Sequence, residues 1–240
     1  MPGFFYQLGR AARPTVRKAQ WAWQSVFGTE DQIIAAENLV GQDLAAEVLR
    51  QVRLCPDDAL TGAVSALGAR LARCLVDQRR RFRFYVVEMP SPNAFAIPGG
   101  HVFVTRPILD LCQEHEGQTA FVLAHEMAHV AKGHSMDRMV THSAVSFAAG
   151  LASARSAVAA WAKQVGVSAV QSAYSQDQEL EADRLAVRLI GAIGYDGSAA
   201  EALLRNLAGA VSDRGPGGLG RYFSSHPPLQ ERVAAIRRMG

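Results

Sequence analysis

Two histidines and a glutamate in the middle of the chain have types and spacing suited to catalysis. His125, Glu126 and His129 form an HExxH pattern. Residues four apart lie on one face of an α-helix, so the two imidazoles can hold one metal ion between them. Glu126 then lies beside the place of a metal-activated water and can act as its base. The pattern predicts a zinc centre of the peptidase type.

The residues around this pattern favour a buried helix. Residues 119–131 are largely apolar on all sides, which is typical of a helix inside a core. Polar side chains in such a place need partners, because an unpaired polar group in an apolar interior is destabilising. A metal ion supplies that partner, and the alternative is a pair of core histidines satisfied by other hydrogen bonds. We favour the metal site.

A third protein ligand has to come from elsewhere, since catalytic zinc takes three protein ligands and a water. His134 lies nine residues after His125, on roughly the opposite face of a continuous helix, and is excluded unless that helix ends early. Glu179 and Asp183 are four apart on another predicted helix and share a face. Glu179 can bind the metal while Asp183 accepts the N–H of a ligating imidazole. The alternative is an acidic helix start in solvent.

The rest of the sequence predicts a mostly helical α+β fold around a small antiparallel sheet. Apolar periodicity and capping residues predict helices at residues 29–52, 57–76, 107–112, 175–190 and 229–239. Three short β-rich runs precede the HExxH helix, at residues 81–87, 93–97 and 101–105. We divide the chain into an N-terminal basic and aromatic segment, residues 1–28, and one metallopeptidase domain, residues 29–240.

Composition excludes some classes of partner and favours a compartment. The chain has 240 residues and a formal net charge of +3, which is too small to predict binding to nucleic acid. Its 3 cysteines are odd in number and widely spaced, as expected for reduced thiols in a cytosolic protein. We therefore predict a cytoplasmic protein.

No signal peptide or transmembrane span is predicted. The N-terminus has no continuous apolar stretch followed by a cleavage site. The nearest candidate for a span, residues 143–170, is interrupted by Arg155 and Lys163. Residues 1–28 mix aromatic and basic side chains, which suits either peripheral membrane contact or an arm docked on the domain. Pro14 interrupts any long amphipathic helix there, which favours the arm.

Four segments together resemble one family of metallopeptidases. HEMAH, ELEAD, NAFAIPGG and SSHPPLQERV occur in the order and spacing of the HtpX-like and CAAX-prenyl-protease-like gluzincins. The resemblance covers roughly residues 80–240 and implies a zincin (gluzincin) fold, peptidase activity and one Zn²⁺ per chain. It also implies that His125, His129 and Glu179 bind the zinc. Glu126 is then the base, and Asp183 supports one of the ligands.

The predicted reaction is hydrolysis of a peptide bond in a protein substrate by zinc-activated water. Glu126 takes the proton of the water and delivers it to the leaving amine. An extended substrate peptide is expected to add to an open sheet edge as an extra strand, held by main-chain hydrogen bonds. The residues predicted to bind it are Asn93, Ala94, Phe95 and Ala96.

A further catalytic candidate is His226, which follows a glycine-rich stretch. It is predicted either to stabilise the oxyanion of the transition state or to cap the zinc as a fourth ligand and hold a latent state. The alternative is a histidine at a helix start with no role in the chemistry. Tyr174 and Tyr222 are further candidates for the oxyanion. His101 is predicted to be structural or exposed.

Two functions are compatible with the sequence. The first is a zinc metalloendopeptidase that acts on unfolded or misfolded proteins in quality control. The second is a non-enzymatic zinc-bound scaffold or quality-control adaptor, recruited to membranes through residues 1–28. The intact HExxH pattern favours the enzyme, because a scaffold has no need of a base at Glu126.

Overall fold

The computed structural model describes residues 29–112, 115–138, 174–214, 226 and 229–239. Residues 1–28, residues 143–170 and Tyr222 lie outside this set, so the division of the chain into two parts stays a prediction. Among the described residues, no helix combines the length and the apolar character needed to cross a bilayer.

Helices make up most of the described chain. They are α1 (Glu30–Gln51), α2 (Asp58–Ala72), α3 (Arg106–Leu111), α4 (Glu116–Ala131), α5 (Gln176–Ala192), α6 (Gly197–Arg214) and α7 (Leu229–Arg237). Three of them begin at a capping side chain, because Thr29, Asp57 and Ser175 each accept a hydrogen bond from a first-turn N–H. Such caps satisfy donors that a helix start leaves unpaired.

Four strands form one sheet of mixed direction. They are β1 (Arg53–Leu54), β2 (Arg83–Glu88), β3 (Ala94–Ile97) and β4 (His101–Thr105), in the order β1-β2-β4-β3. β3 and β4 are antiparallel, whereas β2 runs parallel to β4. The α+β, mostly helical class is confirmed, but the purely antiparallel sheet is wrong. A tight turn joins β3 to β4 as an antiparallel pair, so β2 pairs with the opposite edge of β4.

Helices cover both faces of the sheet, and the two faces differ in side-chain size. The face toward α4 carries small or β-branched side chains, which are Ala94, Ala96, Val102 and Val104. The face toward α1 carries larger ones, which are Phe95, Ile97 and Phe103. Successive strand residues point to opposite faces, so one short apolar run supplies both. The small side chains let α4 pack closely on β3.

The turn between β3 and β4 is fitted against α1. It forms a short 3₁₀ segment, Pro98–Gly100, in which Gly99 has φ 79°. Gly41 of α1 faces this turn so closely that an added Cβ would lie 2.0 Å from the carbonyl oxygen of Pro98. Because glycine tolerates both the positive φ and the close approach, these residues fix β3 against the first helix.

Candidate metal centre and active site

Helices α4 and α5 place His125, His129 and Glu179 side by side, and we call these three residues the ligand cluster. The Nε2 atoms of the two histidines are 3.1 Å apart. The Glu179 carboxylate approaches Nε2 of His129 to 3.3 Å and Nε2 of His125 to 3.5 Å. Ligand atoms bound tetrahedrally to zinc are about 3.3 Å apart. The three side chains therefore have the spacing of ligands to one ion.

His226 and Glu126 lie directly against the ligand cluster. Nδ1 of His226 is 2.9 Å from Oε1 of Glu179, and its Nε2 is 3.5 Å from Oε1 of Glu126. Ligand atoms of His226 and the ligand cluster all lie within 4.8 Å of one another. All of these side chains are buried. The structure thus brings together the residues predicted for metal binding and catalysis, while their roles stay predictions.

Asp183 and Arg232 support the ligand cluster from behind. Oδ1 of Asp183 is 2.9 Å from Nδ1 of His125, in the position predicted for it. Arg232 of α7 donates to the same carboxylate through Nε and Nη2, each at 2.8 Å. Its Nη1 is 3.0 Å from Oε2 of Glu179. Arg232 is 0% exposed, so its charge offsets two carboxylates that burial would otherwise destabilise.

The hydrogen-bond partner of His125 follows from the chemistry of the atoms around it. Nη2 of Arg232 also approaches Nδ1 of His125, at 3.4 Å. A guanidinium only donates, and so does a ring nitrogen that carries its proton. The shorter contact identifies Asp183 as the acceptor, which leaves Nε2 of His125 directed at the ligand cluster.

Burial and charge shift the two cluster imidazoles in opposite directions. Burial and the Arg232 charge lower the pKa of His125, but hydrogen bonds to Asp183 and Glu179 outweigh both and raise that pKa to about 9. Burial lowers the pKa of His129 well below its usual value. Burial opposes ionisation of Glu179, yet His226 and Arg232 hold its pKa well below the usual range. The site therefore stabilises positive charge beside an ionised Glu179.

The donor atoms fit a metal ion. Two ring nitrogens 3.1 Å apart repel each other unless a proton or a cation lies between them. Within the described part of the chain, Oε2 of Glu126 is buried and has no hydrogen-bond partner, which suits a base that acts on an added molecule. Two imidazoles and one carboxylate form a ligand set suited to a divalent transition metal.

The predicted substrate strand lies at the edge of the sheet, where one of its backbone groups is paired with a side chain. β3 is the terminal strand beside β4, and Asn93, Ala94, Phe95 and Ala96 are all buried. The carbonyl oxygen of Ala96 accepts a hydrogen bond of 2.9 Å from Arg138. One outward-facing carbonyl of this edge is therefore already paired in this conformation, and substrate binding by these residues stays a prediction.

Aromatic stacking adds a further layer over the ligand cluster. The ring of Tyr174 lies on that of His129, with centroids 3.6 Å apart and planes at 12°. The Arg138 guanidinium lies over the Tyr174 ring, 4.2 Å from its centroid. Within the described residues, the Tyr174 hydroxyl has no hydrogen-bond partner. His101, predicted to be structural or exposed, is buried, with Nδ1 3.0 Å from the Tyr85 hydroxyl.

Sequence reasoning missed the contributions of His134 and Arg232. The α4 helix ends at Ala131, and Gly133 adopts φ 75°, so His134 does not continue on the opposite face. Its Nδ1 instead lies 3.1 Å from Nδ1 of His129. Arg232 lies within the SSHPPLQERV segment, but an arginine on a predicted helix gives no sign that it is buried.

An HExxH helix and a glutamate from a later helix, converging in an α+β fold, define the class of gluzincin-type metallopeptidases. The chain matches the model of peptidase family M48 over residues 58–240. It belongs to that family, which confirms the resemblance to gluzincin metallopeptidases.

Curated relatives carry metallopeptidase names. The chain is 30% identical over 207 residues to the mitochondrial metalloendopeptidase OMA1 of Schizosaccharomyces pombe, covering 83% of this chain and 60% of that protein. It is 27% identical over 219 residues to the beta-barrel assembly-enhancing protease of Escherichia coli K12, covering 85% and 44%. It is 33% identical over 159 residues to the metalloprotease YcaL of the same strain, covering 64% and 60%. The chain thus spans 60% or less of these relatives.

Proposed function

We propose that this chain is a zinc-dependent metalloendopeptidase that hydrolyses peptide bonds in protein substrates. The observation that carries the proposal is the convergence of His125, His129 and Glu179 at ligand spacing beside Glu126. Membership of peptidase family M48 supports it. A non-enzymatic scaffold is less well supported, because it would not require a buried carboxylate oxygen beside the ligands that has no hydrogen-bond partner among the described residues.

The side chains have separate tasks in the proposed reaction. Zinc, when held by the ligand cluster, polarises the scissile carbonyl and lowers the pKa of water. Glu126 takes a proton from that water and passes it to the leaving nitrogen. Asp183 holds His125 in the tautomer that directs Nε2 at the cluster. Arg232 keeps Asp183 and Glu179 ionised, so that both accept hydrogen bonds or a cation.

His226 is proposed to occupy a fourth ligand position and to hold a latent state. Its Nδ1 contacts the Glu179 carboxylate at 2.9 Å, inside the group of ligand atoms within 4.8 Å of one another. An oxyanion donor would have to face the substrate carbonyl instead. Its position thus favours the capping role over the oxyanion role.

The proposed substrate is an extended segment of an unfolded or misfolded protein that pairs with β3. In an antiparallel pair, alternate residues direct their N–H and C=O groups away from the partner strand. Asn93 bonds Thr105 through its backbone on the β4 side, so Ala94 and Ala96 direct these groups outward. A bound peptide would replace the hydrogen bond from Arg138 to Ala96.

A role in protein quality control is proposed from the names of relatives, one of which is a beta-barrel assembly-enhancing protease. A cytoplasmic location and peripheral membrane contact through residues 1–28 are further proposals. Flotation with anionic liposomes, with and without residues 1–28, tests the contact. Equal flotation of both forms would exclude it.

The test of the activity combines metal analysis with digestion of casein. Wild type is expected to hold one zinc per chain, and the zinc-loaded Glu126→Gln variant to lose activity by roughly 10²–10⁴-fold. Glu126→Gln preserves size and leaves the ligand cluster intact, so zinc content is the control. Both proteins are also made with His226→Ala to relieve a latent state. Equal digestion with and without Glu126 would refute the proposal, as would zinc-loaded His226→Ala protein without activity.

A further inference from the structure

His134 lies behind His129, on the side of the ring that faces away from Nε2. The two Nδ1 atoms are 3.1 Å apart, and the rings meet at 63° with centroids 5.2 Å apart. His134 is 4% exposed. The turn at Gly133, with φ 75°, brings its ring to this place. This contact is separate from the metal-facing side of the ligand cluster.

The contact fixes the proton on each ring. His129 can present Nε2 to a cation only if its Nδ1 carries the hydrogen and donates it. The acceptor is Nδ1 of His134, so the hydrogen of His134 lies on Nε2. That atom faces Oε2 of Glu181 at 3.4 Å, and Oε1 of Glu181 pairs with Lys132 at 2.9 Å. The two contacts therefore run in one direction, with His129 donating to His134 and His134 donating to Glu181.

The two histidines of the cluster are therefore supported in different ways. His125 donates to the buried carboxylate of Asp183, whereas His129 donates to a neutral imidazole. Among the described residues on the Nδ1 side of His129, the nearest carboxylate is reached through His134 and belongs to Glu181, whose side chain is 45% exposed. An imidazole that donates a hydrogen bond to a buried anion becomes a more basic metal ligand than one that donates to a neutral acceptor.

We propose that His134 is a positioning residue that fixes the tautomer and ring orientation of His129, with Glu181 fixing the tautomer of His134. The inference rests on the proposed metal site and deepens it. A residue of this kind is worth about 10–100-fold in metal affinity. A histidine that merely packs in the core would change the stability of the fold without changing metal affinity.

The test compares two variants of similar size. His134→Met fills the space without a strong acceptor, whereas the side-chain oxygen of His134→Gln can accept the hydrogen bond from His129. Zinc affinity is measured on the full chain by competition with a chromophoric chelator. We expect His134→Met to bind zinc about 10–100-fold more weakly and His134→Gln to recover most of that loss. His101→Phe, at a buried histidine outside the site, is the control and should leave zinc affinity unchanged.

Two measurements separate the possible outcomes. Isotope-labelled histidine NMR of the zinc-loaded protein should show the His129 hydrogen on Nδ1 in wild type and in His134→Gln. Equal zinc affinity of wild type and His134→Met, or equal losses in both His134 variants, would overturn the inference. If His134→Met does not fold, Glu181→Ala replaces it, and unchanged zinc affinity in that variant would overturn the inference. Wild type that binds no zinc would refute the proposed function instead.

Discussion

Replacement of Arg232 by methionine is expected to destabilise the metal-free protein strongly. Arg232 donates twice to Asp183 at 2.8 Å and pairs with Glu179 at 3.0 Å, with no exposed surface. Methionine fills similar space but leaves two buried carboxylates without this cation. Breaking a buried ion pair from one side costs about 3–5 kcal/mol. For a chain of this size, that loss lowers Tm by roughly 6–20 °C.

Arg237→Met is the matched control for this prediction. Arg237 lies on the same helix and donates twice to Glu201, at 2.8 and 2.6 Å. Its side chain is 53% exposed, so solvent screens the pair and its loss should destabilise the protein far less than the loss of Arg232. The two substitutions thus remove similar hydrogen bonds that differ mainly in burial.

The assay is urea unfolding in the presence of a chelator, because a bound cation would replace part of the lost charge. Asp183→Asn is then added to Arg232→Met. Since the neutral amide no longer needs the guanidinium, the double variant should be more stable than the sum of the single losses predicts. Equal unfolding free energies for Arg232→Met and Arg237→Met would refute the reasoning.

Two further expectations concern parts of the fold away from the site. Burial lowers the pKa of His101 from 6.5 to about 4. As the pH falls, the unfolded chain therefore protonates this histidine before the folded protein does. Stability should be lost between about pH 6.5 and 4, by roughly 3 kcal/mol. His101→Phe, which keeps an aromatic ring beside Tyr85, should flatten that part of the curve of unfolding free energy against pH, and an unchanged slope would contradict this. Gly41→Ala should destabilise by about 1–3 kcal/mol, because its Cβ would meet the Pro98 carbonyl at 2.0 Å. An added Cβ at Gly62 of α2 would meet no atom of the described residues within 4 Å. Gly62→Ala should therefore stabilise the protein by about 1 kcal/mol, and changes of the same sign for the two glycine variants in thermal unfolding would refute the argument.

Local patterns in the sequence predicted the helices and the residues of the candidate site. The capping residues Thr29 and Ser175 are visible as short-range patterns, and their hydrogen bonds are present. Four-residue spacing predicted that His125 and His129 share a face, and that Glu179 and Asp183 share another. Such patterns depend on contacts within one helix, so they can be found without knowledge of the fold.

Features set by tertiary contacts could not be predicted in the same way. The parallel pairing of β2 with β4 depends on which strand lies next to β4. The sequence of each strand alone is compatible with parallel or antiparallel pairing. The burial of Arg232 depends on how α7 docks against α5. The position of His134 depends on where α4 ends. Gly133 in the sequence indicates that end but does not predict where the following side chain lies.

The order of the helices along the chain has a consequence for biosynthesis. His125 and Arg232 are 107 residues apart, so a ribosome adding about 5–20 residues per second needs roughly 5–20 s to pass from one to the other. Throughout that interval the nascent chain carries its histidine pair, and later its two acidic side chains, without the guanidinium that neutralises them. The ligand cluster thus gains its buried guanidinium only after all three of its own side chains have been made.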